Sequence, residues 1–408
     1  MRFARIGLFV LSISAVLSLA AFAQSTPSST TTSATQTTTG GTNAPPSGPQ
    51  SPPNPAPTPT PPPVGPMQIK VGPDTSIRFG LLLQPQIDLA ENAAGQTSQN
   101  VLVRRVRFIV SGQATKKAFF FFQTENSRLG NSSGTTKTIS SGFQALDAVV
   151  EYRFMRQFNL WGGMIYVPTS REALKSSSSQ FFIDQHTYAY TSTGALGGTA
   201  GRDTGFMARG YFVGDRLEYR AGFFSGFRNP AGARNAFRKV ARLQWEFLDT
   251  EPYTLPAYPG SYYGSKRVAA VGAAYDAQGT YKAPSADFFF DVPTGFGSAL
   301  GTVSWMRLDP GTLAPTVTTA VGGGRSNIFV VDAGAFLKTV HKLGPWLRYE
   351  NQKFDSPNQG KSVKRYIGGI NWFPYLNNFN IKTAIIDNKP QVGKSFNEYI
   401  VQMQFFIY

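Results

Sequence analysis

From residue 67 to the last, apolar and polar residues alternate with a period of two rather than 3.6. In 77–89 one face reads Ile77, Phe79, Leu81, Leu83, Ile87 and Leu89, and the other Arg78, Gly80, Leu82, Gln84, Gln86 and Asp88. The stretch 216–224 sets Leu217, Tyr219, Ala221 and Phe223 against Arg216, Glu218 and Arg220. In 238–247, Ala241, Leu243, Trp245 and Phe247 oppose Arg238, Arg242, Gln244 and Glu246. A strand turns successive side chains to opposite faces, so such segments are strands with one apolar and one charged side.

The pattern predicts sixteen strands, near 76–89, 101–113, 117–127, 143–154, 158–168, 203–213, 215–226, 237–248, 267–277, 284–292, 297–308, 326–338, 344–355, 363–373, 378–388 and 396–408. That is about 21 residues per strand and connection, the spacing of membrane-crossing strands of roughly ten residues. Connections after even-numbered strands are short, such as Gly214 and 374–377, whereas 128–142, 169–202 and 309–325 follow odd-numbered ones. One connection breaks this parity: 249–266 should be a short turn and has eighteen residues. A soluble sandwich would use shorter strands. Here the last strand ends on aromatic residues, and Phe154, Phe158, Trp372, Phe373 and Tyr375 gather at strand ends, as interfacial girdles do. The expected fold is all-β: a membrane-spanning antiparallel β-barrel of about sixteen strands. Tyr408 departs from the register of a terminal aromatic strand, because it falls on the polar face beside Gln402, Gln404 and Phe406.

The first 66 residues are of other kinds. Arg2 and Arg5, the apolar run 6–20 and Ala21-Phe22-Ala23 read as a secretory signal peptide over 1–23. Residues 24–66 hold 13 of the 28 prolines and no charge. They lack apolar surface to offset ordering, so they are expected to be a disordered Ser/Thr/Pro-rich linker, stiffer near its end. The barrel domain is 67–408.

Composition then narrows the chemistry. There is no cysteine, which excludes disulfides, thiolate metal sites and cysteine nucleophiles. The two histidines, His186 and His341, have no spacing that suits a metal. His186 lies near Ser176–Ser179 in sequence, and its expected role is a loop hydrogen bond rather than activation of a serine. No catalytic residue, metal ligand or cofactor is expected, and no enzymatic activity.

Without Arg2 and Arg5 the chain carries 37 basic and 23 acidic residues, a balance of +14. A secreted protein with no basic run of five or more is not expected to bind nucleic acid. Anionic lipid headgroups and lipopolysaccharide are the expected partners of rim lysines such as Lys361 and Lys364. Inside a water-filled lumen, rings of arginine favour anions. The candidates are Arg105 and Arg107, Arg216 and Arg220, Arg238 and Arg242, with Arg209 and Arg348 alone on their faces. Arg171 and Lys175, separated by Glu172, sit in the long connection after the fifth strand.

Four stretches carry a family resemblance: VLVRRVRFIVSGQ (101–113), LWGGMIYVPTSREALKSSSSQFFI (160–183), RDTGFMARGYFVGDRLEYRAGFFSG (202–226) and the closing FNEYIVQMQFFIY. Together they resemble the phosphate-selective porin O and P family of Gram-negative outer membranes. The resemblance implies a sixteen-stranded barrel, commonly a homotrimer, that passes small anions or other small hydrophilic solutes. It also implies that the connection holding Arg171 and Lys175 folds into the pore. A second reading is a structural outer-membrane anchor or adhesin, with the Pro-rich tail contacting the cell wall or a partner.

Overall fold

The computed structural model describes residues 67–229 and 236–408, apart from 93, 134, 135, 138, 140 and 141. The expected signal peptide and linker lie outside the described residues. All sixteen expected strands are present: β1 (Thr75–Glu91), β2 (Thr97–Gln113), β3 (Ala118–Leu129), β4 (Gln144–Met155), β5 (Phe158–Tyr166), β6 (Arg202–Phe212), β7 (Leu217–Phe224) and β8 (Arg238–Glu246). The second half comprises β9 (Val268–Gln278), β10 (Tyr281–Thr294), β11 (Gly297–Leu308), β12 (Ser326–Leu337), β13 (Leu343–Phe354), β14 (Val363–Tyr375), β15 (Phe379–Pro390) and β16 (Phe396–Ile407). Each strand pairs antiparallel with the next, and β16 closes on β1 from Glu398↔Ala90 to Ile407↔Leu81. Closure leaves no open edge, so backbone polar groups are satisfied within the wall. Among the described residues no helix is long and apolar enough to cross a membrane; the strands do the crossing.

A short strand, Gln68–Gly72, folds back on the start of β1 with Gln68 opposite Arg78, just past the end of β16. Tyr408 completes that seam. Its ring lies where a Cβ on Gly80 would meet it at 2.7 Å, its hydroxyl bonds Ser111 at 2.7 Å, and Arg78 lies 5.1 Å from its centroid. The register departure is therefore a polar anchor: the terminal tyrosine points inward because its partners are inside.

The alternation sorts inside from outside. On β10, Tyr281, Ala283, Ser285, Asp287, Phe289 and Asp291 are buried, while Lys282, Ala286 and Phe288 are exposed. Across the wall the outward set includes Phe108, Phe223, Leu243, Trp305, Leu347 and Phe405. Exposed apolar side chains in this number suit hydrocarbon and not water.

The loop parity also holds, with two qualifications. The connection of β9 to β10, on the long-loop end, is a two-residue turn, 279–280, with Gly279 at φ +57°. The connection of β8 to β9, on the short-turn end, runs over 247–267. It does not hang outside the barrel: Ala257, Tyr258 and Ser261 are buried, and Tyr258 forms an isolated parallel bridge with Lys175.

Candidate functional site: the lumen and its constriction

Two segments meet inside the barrel, one from each end. From the long-loop end comes 167–201, with short 3-10 turns at Glu172–Leu174 and Ser177–Ser179. Its middle is anchored by an aromatic cluster in which Phe181 and Phe182 join Phe336, Trp346 and Phe373 of β12, β13 and β14. Phe181 stacks on Phe373 at 5.1 Å, and Asn371 Nδ2 donates to the Phe181 carbonyl at 2.6 Å. Lys382 Nζ donates to the Gln180 carbonyl at 2.6 Å, and Gln404 Nε2 to that of Ser178 at 2.7 Å. The loop's far end packs Tyr188, Ala195 and Leu196 against Tyr281, Met306 and Ile328.

Strand register places the arginines. Arg220 stands opposite Arg209 on one side and opposite Arg242 on the other, so three guanidinium groups form one row across β6, β7 and β8. Glu218, two residues before Arg220 and on the same face, accepts Arg209 Nε at 2.8 Å and Arg220 Nε at 2.6 Å. Arg242 grips Asp287 with both Nη atoms at 2.7 Å. Arg220 Nη1 and Nη2 have no hydrogen-bond partner although the residue is buried. Its guanidinium lies 4.7 Å from the Tyr258 ring centroid and 6.0 Å from that of Trp161, within reach of the π faces.

The remaining candidates are all paired. Arg105 Nη2 donates to Asp184 at 2.7 Å and Nη1 to Gln84 at 2.9 Å, and Arg107 Nη2 donates to Glu125 at 2.6 Å. Arg238 holds Asp276 through Nε at 2.9 Å and Nη2 at 2.6 Å. Arg348 Nε donates to Asp332 at 2.5 Å, and its Nη2 to the Asp184 carbonyl at 3.0 Å. Arg171 Nη2 donates to Glu251 at 2.8 Å, while Lys175 pairs with Glu172 at 2.7 Å and bonds Thr302 at 3.1 Å. Arg216 stands apart from the others. It precedes β7 at the short-turn rim and donates to the carbonyls of Glu246, Phe247 and Leu248, so it fastens a turn and does not face the row.

Charge bookkeeping changes the expectation drawn from the +14 balance. Among the described residues eleven basic and fourteen acidic side chains are buried, so the positive excess lies among the half-buried and exposed side chains. Buried guanidinium nitrogens without hydrogen-bond partners occur in the row on Arg220 (Nη1, Nη2) and Arg242 (Nε), and outside it on Arg171 and Arg238. Same-face spacing marks Glu218 beside Arg220, and Glu172 stands between Arg171 and Lys175 in the sequence; both are paired in the structure. Sequence reading missed the more distant carboxylate partners, together with Arg202, which is buried against Asp147 and stacked 3.6 Å from the Tyr166 centroid, and nothing local marks Glu251 as reaching Arg171.

In the loop, burial alone would raise the Asp184 carboxyl, but Arg105 and Arg104 outweigh it and hold the group below its ordinary range. Burial likewise opposes the charge on Glu172, and Lys175 and His186 reverse the balance, leaving it lowered. Burial depresses His186 despite nearby Glu172 and Glu350, and its Nδ1 accepts the Tyr188 backbone N–H at 3.2 Å.

A closed sixteen-strand barrel, apolar outside and charged within, with a loop folded into its lumen, is an outer-membrane porin barrel: a channel for small solutes rather than an enzyme. Residues 79–280 match the family model of phosphate-selective porin O and P. Among solved structures it is similar to OmpF of Salmonella typhi (TM-score 0.58, 12% identity, 83% of this chain and 100% of that one). It is also similar to the outer membrane channel DcaP of Acinetobacter baumannii (0.53, 11%, 83% and 99%). OmpT of Vibrio cholerae, solved in a trimer form, matches at 0.52 with 9% identity over 81% and 99%. At these identities the likeness concerns the fold. No curated protein matches the chain in sequence.

Proposed function

We propose that this porin passes small hydrophilic solutes by passive diffusion and prefers anions, phosphate or others of similar size. The observation that carries the preference is the in-register row Arg209–Arg220–Arg242, in which Arg220 keeps two buried guanidinium nitrogens without partners. An oxyanion approaching that row meets fixed donors in a low-dielectric wall, and a guanidinium fork suits it geometrically. The ion-paired neighbours contribute little net field, so selectivity arises at one level of the pore and not along its length. Export by residues 1–23, assembly as a homotrimer, and contacts of rim lysines with lipopolysaccharide complete the proposal.

Planar-bilayer recording tests it. Purified protein should give discrete conductance steps, and in a potassium chloride gradient the reversal potential should take the sign of chloride preference. A potassium-preferring channel would defeat the anion reading, and a membrane-inserted barrel that gives no steps either as the parent or with Glu251→Gln would defeat the channel reading.

A further inference from the structure

The 247–267 connection starts after β8 and ends before β9, yet its contacts reach the opposite wall. Near its start, Tyr253 N donates to Tyr211 Oη at 2.8 Å, and Thr254 accepts Arg209 Nη1 on its carbonyl at 2.6 Å and Nη2 on its hydroxyl at 2.9 Å. Near its end, Tyr263 Oη donates to Asn377 at 2.8 Å, and its ring lies 5.2 Å from that of Phe373 in β14. Strands β6 and β14 are eight apart in a ring of sixteen and so face each other across the barrel. The segment is a strap across the full diameter.

The strap also engages the donors an entering anion would use. Glu251 occupies Arg171, Thr254 takes two nitrogens of Arg209, and Tyr258 lies over Arg220 while donating to Glu218 at 2.5 Å. It is tied to the inward loop by Tyr258 N to the Leu174 carbonyl at 2.8 Å, Ser176 N to the Tyr258 carbonyl at 2.9 Å and Gly260 N to Ser179 Oγ at 2.9 Å. Glu251 and Tyr258 are 2% and 0% exposed, packed against Arg171 and Arg220 at this level.

We propose that 247–267 is an autoinhibitory strap, a tethered carboxylate and carbonyl set that fills the arginine level and keeps the channel closed until it swings away. The proposal rests on the anion reading for its chemistry but not for the closure. Two experiments separate them.

Because the chain has no cysteine, a Lys175→Cys/Tyr258→Cys pair can be joined by a single disulfide between the bridged positions. The same molecules are recorded oxidised and reduced, so folding is held constant. The oxidised channel should conduct at least about tenfold less than the reduced one, since the strap that must leave is covalently held. Equal conductance with the disulfide formed overturns the proposal.

Independently, Glu251→Gln should raise the open fraction by about tenfold, because a buried guanidinium without its counter-charge disfavours the closed arrangement. This arm decides the matter if the cysteine pair fails to assemble, and an open fraction equal to that of the parent overturns the role of Glu251. Opening by Glu251→Gln together with potassium preference would leave the strap standing and remove the anion reading.

Discussion

The two sides of the lumen hold what packs against them by different physics. Strands β12 to β14 present Phe336, Trp346 and Phe373, which clamp Phe181 and Phe182 in an aromatic cluster. Strands β6 to β8 present Arg209, Arg220 and Arg242, which hold their surroundings through carboxylates and carbonyls. Aromatic packing is indifferent to pH and to small ions. Ion pairs exchange partners, and each costs desolvation that its geometry must offset. The aromatic wall fixes where the loop sits, and on the proposed function the arginine wall is the one that meets the solute.

Substitutions on each side break or sharpen that contrast. The largest effect should follow Phe181→Ala, which removes a fully buried ring and is expected to cost about 3–5 kcal/mol. Denaturant unfolding of the detergent-solubilised barrel measures it, with ion selectivity predicted to keep its sign. On the other wall, Arg220→Gln should cost about 1.5–3 kcal/mol through its lost charged hydrogen bond. Glu218 would retain Arg209 and Tyr258, so the variant should still assemble, and anion preference should fall even though the packed loop is unchanged.

A smaller effect is expected at the Asp184 clasp, about 1–1.5 kcal/mol for Asp184→Asn, since Arg104 and Arg105 would keep a neutral acceptor. Its sign with pH is fixed. A carboxyl lowered in the folded state stabilises fully above its unfolded value of about 4 and loses that contribution as pH falls below it. Stability of the parent should therefore drop below pH 4 more steeply than that of Asp184→Asn. Identical acid profiles would show that the clasp contributes nothing. Smallest is Arg216→Ala, about 0.5 kcal/mol, with conductance and selectivity unaltered because Arg216 fastens a rim turn.

Much of this was legible in the sequence, and the reasons are local. Period-two alternation fixes which side chains face inward, so all sixteen strands and the inward placement of Arg220 and Arg242 follow from short-range pattern. Register across strands is not local. That Arg209, Arg220 and Arg242 share one level depends on hairpin closure at 213–216 and on the pairing of β7 with β8. The carboxylate partners were harder still. Glu251 reaches Arg171 across 80 positions, and Asp287 reaches Arg242 across 45. The eighteen-residue exception at 249–266 was visible as an anomaly of parity. Its destination inside the lumen was not, since nothing in Pro252, Tyr253, Pro256 or Tyr258 specifies which wall they meet. The net charge of +14 does not carry over to the buried side chains, where fourteen acidic groups stand against eleven basic ones.

On the proposed function, one row of arginines, and not the overall charge, sets the preference for anions. Paired reversal potentials in a potassium chloride gradient, for the parent and for Arg220→Gln in the same bilayer, test it most directly. The parent should prefer chloride and the variant should shift toward zero or toward potassium, with conductance steps retained. A parent and variant with the same chloride preference, or a parent that prefers potassium, would contradict it.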